Sequence, residues 1–171
     1  MSISHRLYMD TPATRHELRD ALARASIGFN ANPDWKNTSG VSSAATSVTV
    51  VDDLSRRTGR LDHGVVATRY VSFGDRRLYL DEPDNPEHFV DQTIQGVVAL
   101  LRAFPEADAY MLGWDAARPL LLRRGETLVL ALEHAGPDGF WGADGSAKRA
   151  LVDVPYTVKP LGTWEYLPID A

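Results

Sequence analysis

Between NPEHFVDQTIQGVVALLRAFP (residues 85–105) and DAYMLGWDAARPLLLRRGETLVLAL (108–132) the sequence passes from a helical pattern to a succession of strands, which marks a fold of both helix and sheet. In the first part Asn85 is placed to cap a helix, Pro86 takes the first helical position, Glu87 complements the helix dipole and Pro105 stops the chain. Val90, Ile94, Val97, Leu101 and Phe104 keep a helical period between those ends. In the second part Ala109–Trp114, Pro119–Leu122 and Thr127–Leu132 read as three strands of a meander. Arg123-Arg124-Gly125-Glu126 reads as the tight turn between the last two.

At the start of the chain, Ile3 to Met9 alternates as a half-buried strand, with Ile3, His5, Leu7 and Met9 on one face. It runs into two capping frames, Thr11 with Pro12 and Thr14 with Glu17, the latter at capping-box spacing. Leu18, Ala21, Leu22 and Ala25 then mark the apolar stripe of a helix ending near Ile27-Gly28. Residues 29–44 read as a long loop around Trp35, and Thr46–Val51 as a β-branched strand. A long strand is expected from Val65 to Phe73, with Val65, Ala67, Val71 and Phe73 on one face, and Gly74-Asp75 turns it into Leu78–Leu80 as a hairpin. Past the meander, a Gly/Asp-rich loop at 136–145 holds Phe140 and Trp141, and Val152–Val158 forms a last strand whose Pro155 suits a sheet edge. The expectation is one α+β domain over 1–171: a single antiparallel or mixed β-sheet with two helices packed on one face.

Composition narrows the functional classes. Twenty-three acidic against 18 basic residues give a net charge of −5, which disfavours a nucleic-acid partner and suits a basic protein partner. Cysteine is absent, so thiolate chemistry and disulfides are excluded. No secretory leader or membrane-length apolar run is legible, so the sequence reads as soluble and cytoplasmic. Fifteen of the 18 basic residues are Arg, a skew that reads either as a GC-rich bacterial genome or as Arg chosen for particular contacts.

Catalytic signatures are weak throughout. Histidines 5, 16, 63, 88 and 134 form no zinc-binding pair, no serine lies in a GxSxG elbow, and no phosphate-binding glycine motif occurs. His88 and Asp91, three apart on the second helix, read better as a solvated capping turn than as metal ligands. The glycines at 136–145 read as turns and not as a calcium loop, and Asp52-Asp53 would point to opposite faces of a strand. No catalytic residue, metal or cofactor is expected. The most noticeable charge feature is the acidic run Asp75, Asp81, Glu82, Asp84, Glu87 and Asp91, readable as a solvated surface or as a docking patch for a basic partner. Trp35, Trp114, Trp141 and Trp164 read either as interface anchors or, for the two that flank strands, as core.

Three segments together resemble the SitI-type family of bacterial immunity proteins. They are the opening Ser2–Tyr8 strand before Thr11-Pro12, the hairpin Asp108–Asp115 with Pro119–Leu130, and the close from Phe140-Trp141 through Leu151–Tyr156 to Pro160-Leu161. The resemblance implies a protein encoded beside a toxin delivered between neighbouring cells, which it neutralises by binding; no catalytic residues come with it. The expected partner is therefore a cognate toxin effector domain, whose activity the resemblance does not identify; the acidic run would suit a basic, nuclease-like one, and no nucleic acid and no membrane are expected. Two alternatives remain: a small hydrolase built on His63 or His88 with carboxylates, or a small-ligand module enclosed by the tryptophans and the 29–44 loop.

Overall fold

The N-terminal strand occupies the centre of the sheet, and that position explains most of the architecture. The computed structural model describes residues 4–24, 30–31, 41–42, 46–51, 60–61, 65, 67–75, 86–113, 119–142, 146–161 and 166–167. In chain order the elements are β1 (Ser4–Asp10), α1 (Arg15–Arg24), β2 (Asn30–Ala31), β3 (Val41–Ser42), β4 (Thr46–Val51), β5 (Arg60–Leu61) and β6 (Arg69–Asp75). They continue with α2 (Pro86–Ala103), β7 (Asp108–Leu112), β8 (Pro119–Arg124), β9 (Thr127–Ala131), α3 (Ser146–Ala150), β10 (Thr157–Lys159) and β11 (Tyr166–Leu167). The main sheet runs β10-β9-β8-β7-β1-β6-β4-β3-β2, seven strands of three residues or more with two dipeptide strands at one edge. All its pairings are antiparallel except β10 with β9, so the sheet is mixed.

The fold is α+β, with α1, α2 and α3 all feeding one core on one face of the sheet. Leu18 and Leu22 of α1, Ile94, Val97 and Leu101 of α2, and Ala147 of α3 share this cluster with the inward residues of the strands. On β1 these are Leu7 and Met9, on β6 Val71 and Phe73, on β7 Ala109 and Met111. Each fully buried Leu or Phe contributes roughly 1.5–3 kcal/mol, so this layer is the main source of stability.

The face opposite the described helices is also apolar, which corrects the half-buried reading of β1. Tyr8 pairs directly with Tyr70 of β6 and Tyr110 of β7, and Tyr110 with Leu122 of β8. The Tyr8 and Tyr110 rings stack at 4.7 Å between centroids, and Tyr110 is 0% exposed. Val65 and Ala67 pack onto this row. The expected continuous strand Val65–Phe73 is thus two pieces: Val65 and Ala67 serve the tyrosine face, while Val71 and Phe73 serve the helix face. Thr68 makes the break. Its backbone N–H donates to the Met9 carbonyl at 3.0 Å, and its hydroxyl accepts from the Thr11 N–H at 3.2 Å.

Local signals place the helices. Of the two capping frames, Thr14 with Glu17 is the one used: Glu17 N–H donates to Thr14 Oγ1 (3.3 Å) and Thr14 N–H donates to Glu17 Oε2 (3.1 Å). Thr11 instead closes a local turn, accepting from the Ala13 N–H. Helix α2 ends at Ala103, before Pro105. The β8–β9 connection is tighter than the four residues expected. Arg124 pairs with Thr127, leaving Gly125-Glu126 as a two-residue turn with Gly125 at φ +58°. Arg123 therefore belongs to the strand, and it is buried.

The chain end differs from the single strand Val152–Val158 expected there. Ser146–Ala150 is a short helix, Leu151–Val154 turns, and only Thr157–Lys159 pairs, at the sheet edge with Pro155 before it and Pro160 after it. Trp141 is core: its indole N–H donates to the Leu120 carbonyl at 2.6 Å. Gly139 and Gly142 let the 134–142 segment fold back on itself, because a Cβ at either would collide with the carbonyl of His134 or of Gly136.

Candidate functional site

Helix α2 buries one face on the sheet and lends the other to a groove. Asp91, Gln95, Val98, Ala99, Arg102 and Ala103 follow one another at helical spacing, making a stripe about 18 Å long at the rise of an α-helix. Ala21 and Arg24 of α1 form one wall, and Arg149 and Ala150 of α3 with Val152 and Asp153 form the other. The cleft has a volume of about 680 Å³. Its floor consists of small apolar residues, and Val152, on its wall, is 77% exposed.

Three arginines and two aspartates line this groove. Arg102 lies 3.6 Å from Asp153 and donates to the Ala150 carbonyl at 3.0 Å, which ties the end of α3 to α2. Arg149 lies 3.9 Å from Asp91, whose other oxygen accepts from Gln95 Nε2 at 2.7 Å. The Arg24 guanidinium donates to the Asp20 carbonyl on its own helix. Exposed pairs of this kind contribute about 0–1 kcal/mol, so an incoming charged group can exchange with them at little cost.

Of the acidic run, only Asp91 has a described side chain, and it lies in this groove beside Arg149. Asp75 ends β6 and Glu87 stands in the first turn of α2, four residues before Asp91, with both side chains outside the described residues. Asp81, Glu82 and Asp84 lie outside the described residues altogether. So do Asp52-Asp53, His63, Trp35, Trp114 and Trp164, and the side chain of His88. Among the described residues, no three metal-ligating side chains converge. His5 is a core residue, stacked on Phe89 (5.6 Å) and edge-on to Phe140 (5.0 Å).

Sequence reasoning missed the groove arginines. The available signal was the outward row Gln95, Ala99, Arg102 and Ala103, where small residues stand on a helix face that would otherwise carry long polar ones. A buried cation, Arg123, was also missed. From β8 it donates to the carbonyls of Leu101 (2.7 Å), Phe104 (2.5 Å) and Ala107 (2.8 Å), which closes the C-terminal end of α2. Burial holds its pKa below the ordinary arginine value, and the neighbouring Asp108 carboxylate pulls it partly back. A smaller apolar cleft of about 410 Å³ lies at the sheet edge between Trp141, Tyr156 and Val158, with Lys148 beside it.

No family model, curated protein or solved structure matches this chain.

Proposed function

We propose that this protein is a bacterial immunity protein that binds and neutralises a cognate toxin domain in the cytoplasm, and that the α1–α2–α3 groove is its docking face. The observation that carries the reading is the composition of that groove. A small apolar floor under an exposed valine, rimmed by exchangeable ion pairs, matches the anatomy of protein interfaces, where an apolar centre is surrounded by a charged rim. The resemblance of the strand and turn pattern to SitI-type proteins supplies the class of partner.

The test is co-expression with the product of the adjacent gene. That product is expected to arrest growth alone and to become harmless when this protein is present. A product that is harmless alone, or that stays toxic in the presence of this protein, overturns the reading. One feature favours a small-ligand module instead: the cleft volume of about 680 Å³ lies within the range of small-molecule sites. A thermal-shift screen separates the two, since a ligand in 100-fold excess over its Kd stabilises by about 2.7 kcal/mol.

A further inference from the structure

We infer that the groove along α2 receives an amphipathic helix of the partner, about three turns long, whose apolar face is flanked by carboxylates. This deepens the immunity reading and rests on it. Length comes first: the stripe from Asp91 to Ala103 matches about 12 residues of a straight helix. The floor comes second. Ala99, Ala103 and Ala150 project no further than a methyl group, so a partner helix can approach closely, and Val152 stands ready to be covered.

Charge decides the sign of the partner. The protein is acidic overall, yet this groove carries three guanidinium groups against two carboxylates. Asp91 and Asp153 are already beside Arg149 and Arg102, and among the described residues Arg24 has no carboxylate partner. A basic helix entering here would meet Arg24, Arg102 and Arg149. An acidic one pairs with Arg24 on one wall and competes with Asp153 for Arg102 on the other. Asp91, the one member of the acidic run with a described side chain, lies in this groove but is already beside Arg149, so the described lining keeps an excess of one guanidinium and favours carboxylates.

The test uses the full chain and two fluorescein-labelled 14-residue helical peptides that share one Ala/Leu face. One is flanked by Glu and the other by Lys, and binding is read by fluorescence anisotropy. The Glu peptide is expected to bind about tenfold more tightly, as one or two exposed ion pairs allow, with the difference shrinking in high salt. Arg24→Glu with Arg102→Glu should reverse the preference, whereas Arg19→Glu, outside the groove, should leave it intact. Ala99→Trp should remove binding of both peptides while the far-ultraviolet circular dichroism stays that of the parent. Equal binding of the two peptides, preference for the Lys peptide, no binding of either, or indifference to Arg24→Glu overturns the inference. Its fate is separable from that of the toxin reading. Protection in co-expression that survives Arg24→Glu/Arg102→Glu and Ala99→Trp unchanged refutes the groove as the contact and leaves the immunity reading standing. Discrimination between the peptides without protection refutes the toxin partner alone.

Discussion

Replacing Arg123 is the sharpest test of how this fold is held together. The residue is 6% exposed, and its guanidinium reaches the carbonyls of Leu101, Phe104 and Ala107 at and just past the end of α2; Pro105 offers Leu101 no N–H, while the Phe104 carbonyl also accepts from the Ala107 N–H. Hydrogen bonds to a charged group contribute about 1.5–3 kcal/mol each, so the simple sum for Arg123→Met is about 4.5–9 kcal/mol. Part of that returns when water reaches the freed carbonyls of a helix end, and methionine preserves most of the apolar contact. The expected loss is about 3–5 kcal/mol, the range for removing one partner from a buried charged network. Arg123→Lys keeps the charge and its attraction to the helix dipole, about 0.3–1 kcal/mol, but one ammonium does not span three acceptors. It should recover less than half of the loss. The assay is equilibrium urea denaturation, comparing midpoints at unchanged slope. Arg124→Met is the control: that residue is half exposed, lies 3.6 Å from Asp108, and should cost less than about 1 kcal/mol. If Arg123→Met and Arg124→Met shift the midpoint equally, or if Arg123→Lys matches the parent, the helix-end role of Arg123 is wrong.

Other positions give independent checks. Thr14→Ala removes one half of the capping box and should cost about 1 kcal/mol by the same denaturation assay; no change would mean that α1 starts elsewhere. Gly142→Ala drives a methyl group into the Gly136 carbonyl and should cost about 1–3 kcal/mol, read as a lowered thermal midpoint, whereas an unchanged midpoint would contradict the tight fold-back of this segment. Tyr8→Ala opens a cavity beside Tyr110 and Tyr70 and should cost about 3–5 kcal/mol, and a loss under 1 kcal/mol would show that the tyrosine face is not a second core.

How far the sequence was legible follows from which interactions are local. The capping box at Thr14, the stop before Pro105 and the meander of β7, β8 and β9 are set by neighbours within a few residues, and they were readable. The burial of Tyr8 was not, because it depends on β1 being flanked by β6 and β7, strands that come some 60 and 100 residues later. Arg123 was misread for a related reason. Beside Arg124-Gly125-Glu126 it looks like turn chemistry, and only the register Ala109↔Arg123 turns its side chain toward α2. The break at Thr68 was invisible because the residues that cause it, Met9 and Thr11, lie on another strand and the segment after it. Of the candidate site, the sequence offered Asp91 through the acidic run. The arginines that surround it come from three helices, one of them α3, whose five residues are too few to show a period.

The groove and the buried arginine are mechanically connected, and this links stability to recognition. Arg123 secures the carbonyls of Leu101 and Phe104, which bracket Arg102 and Ala103 in the last turn of α2. Arg102 in turn holds the Ala150 carbonyl, and so the wall formed by α3, while Ala147 and Leu151 anchor that wall in the core. A partner helix therefore meets walls that are already in place, and binding does not have to order them. If that coupling is real, Arg123→Met should weaken binding of the Glu-flanked peptide without altering any residue of the groove, even under conditions where the variant is fully folded. The segment that closes α2 should also lose hydrogen-exchange protection, at the Phe104 and Ala107 amides, before the first turns of the helix do. A folded Arg123→Met protein with parental peptide affinity and a protected last turn would show that the groove keeps its shape through the apolar core alone.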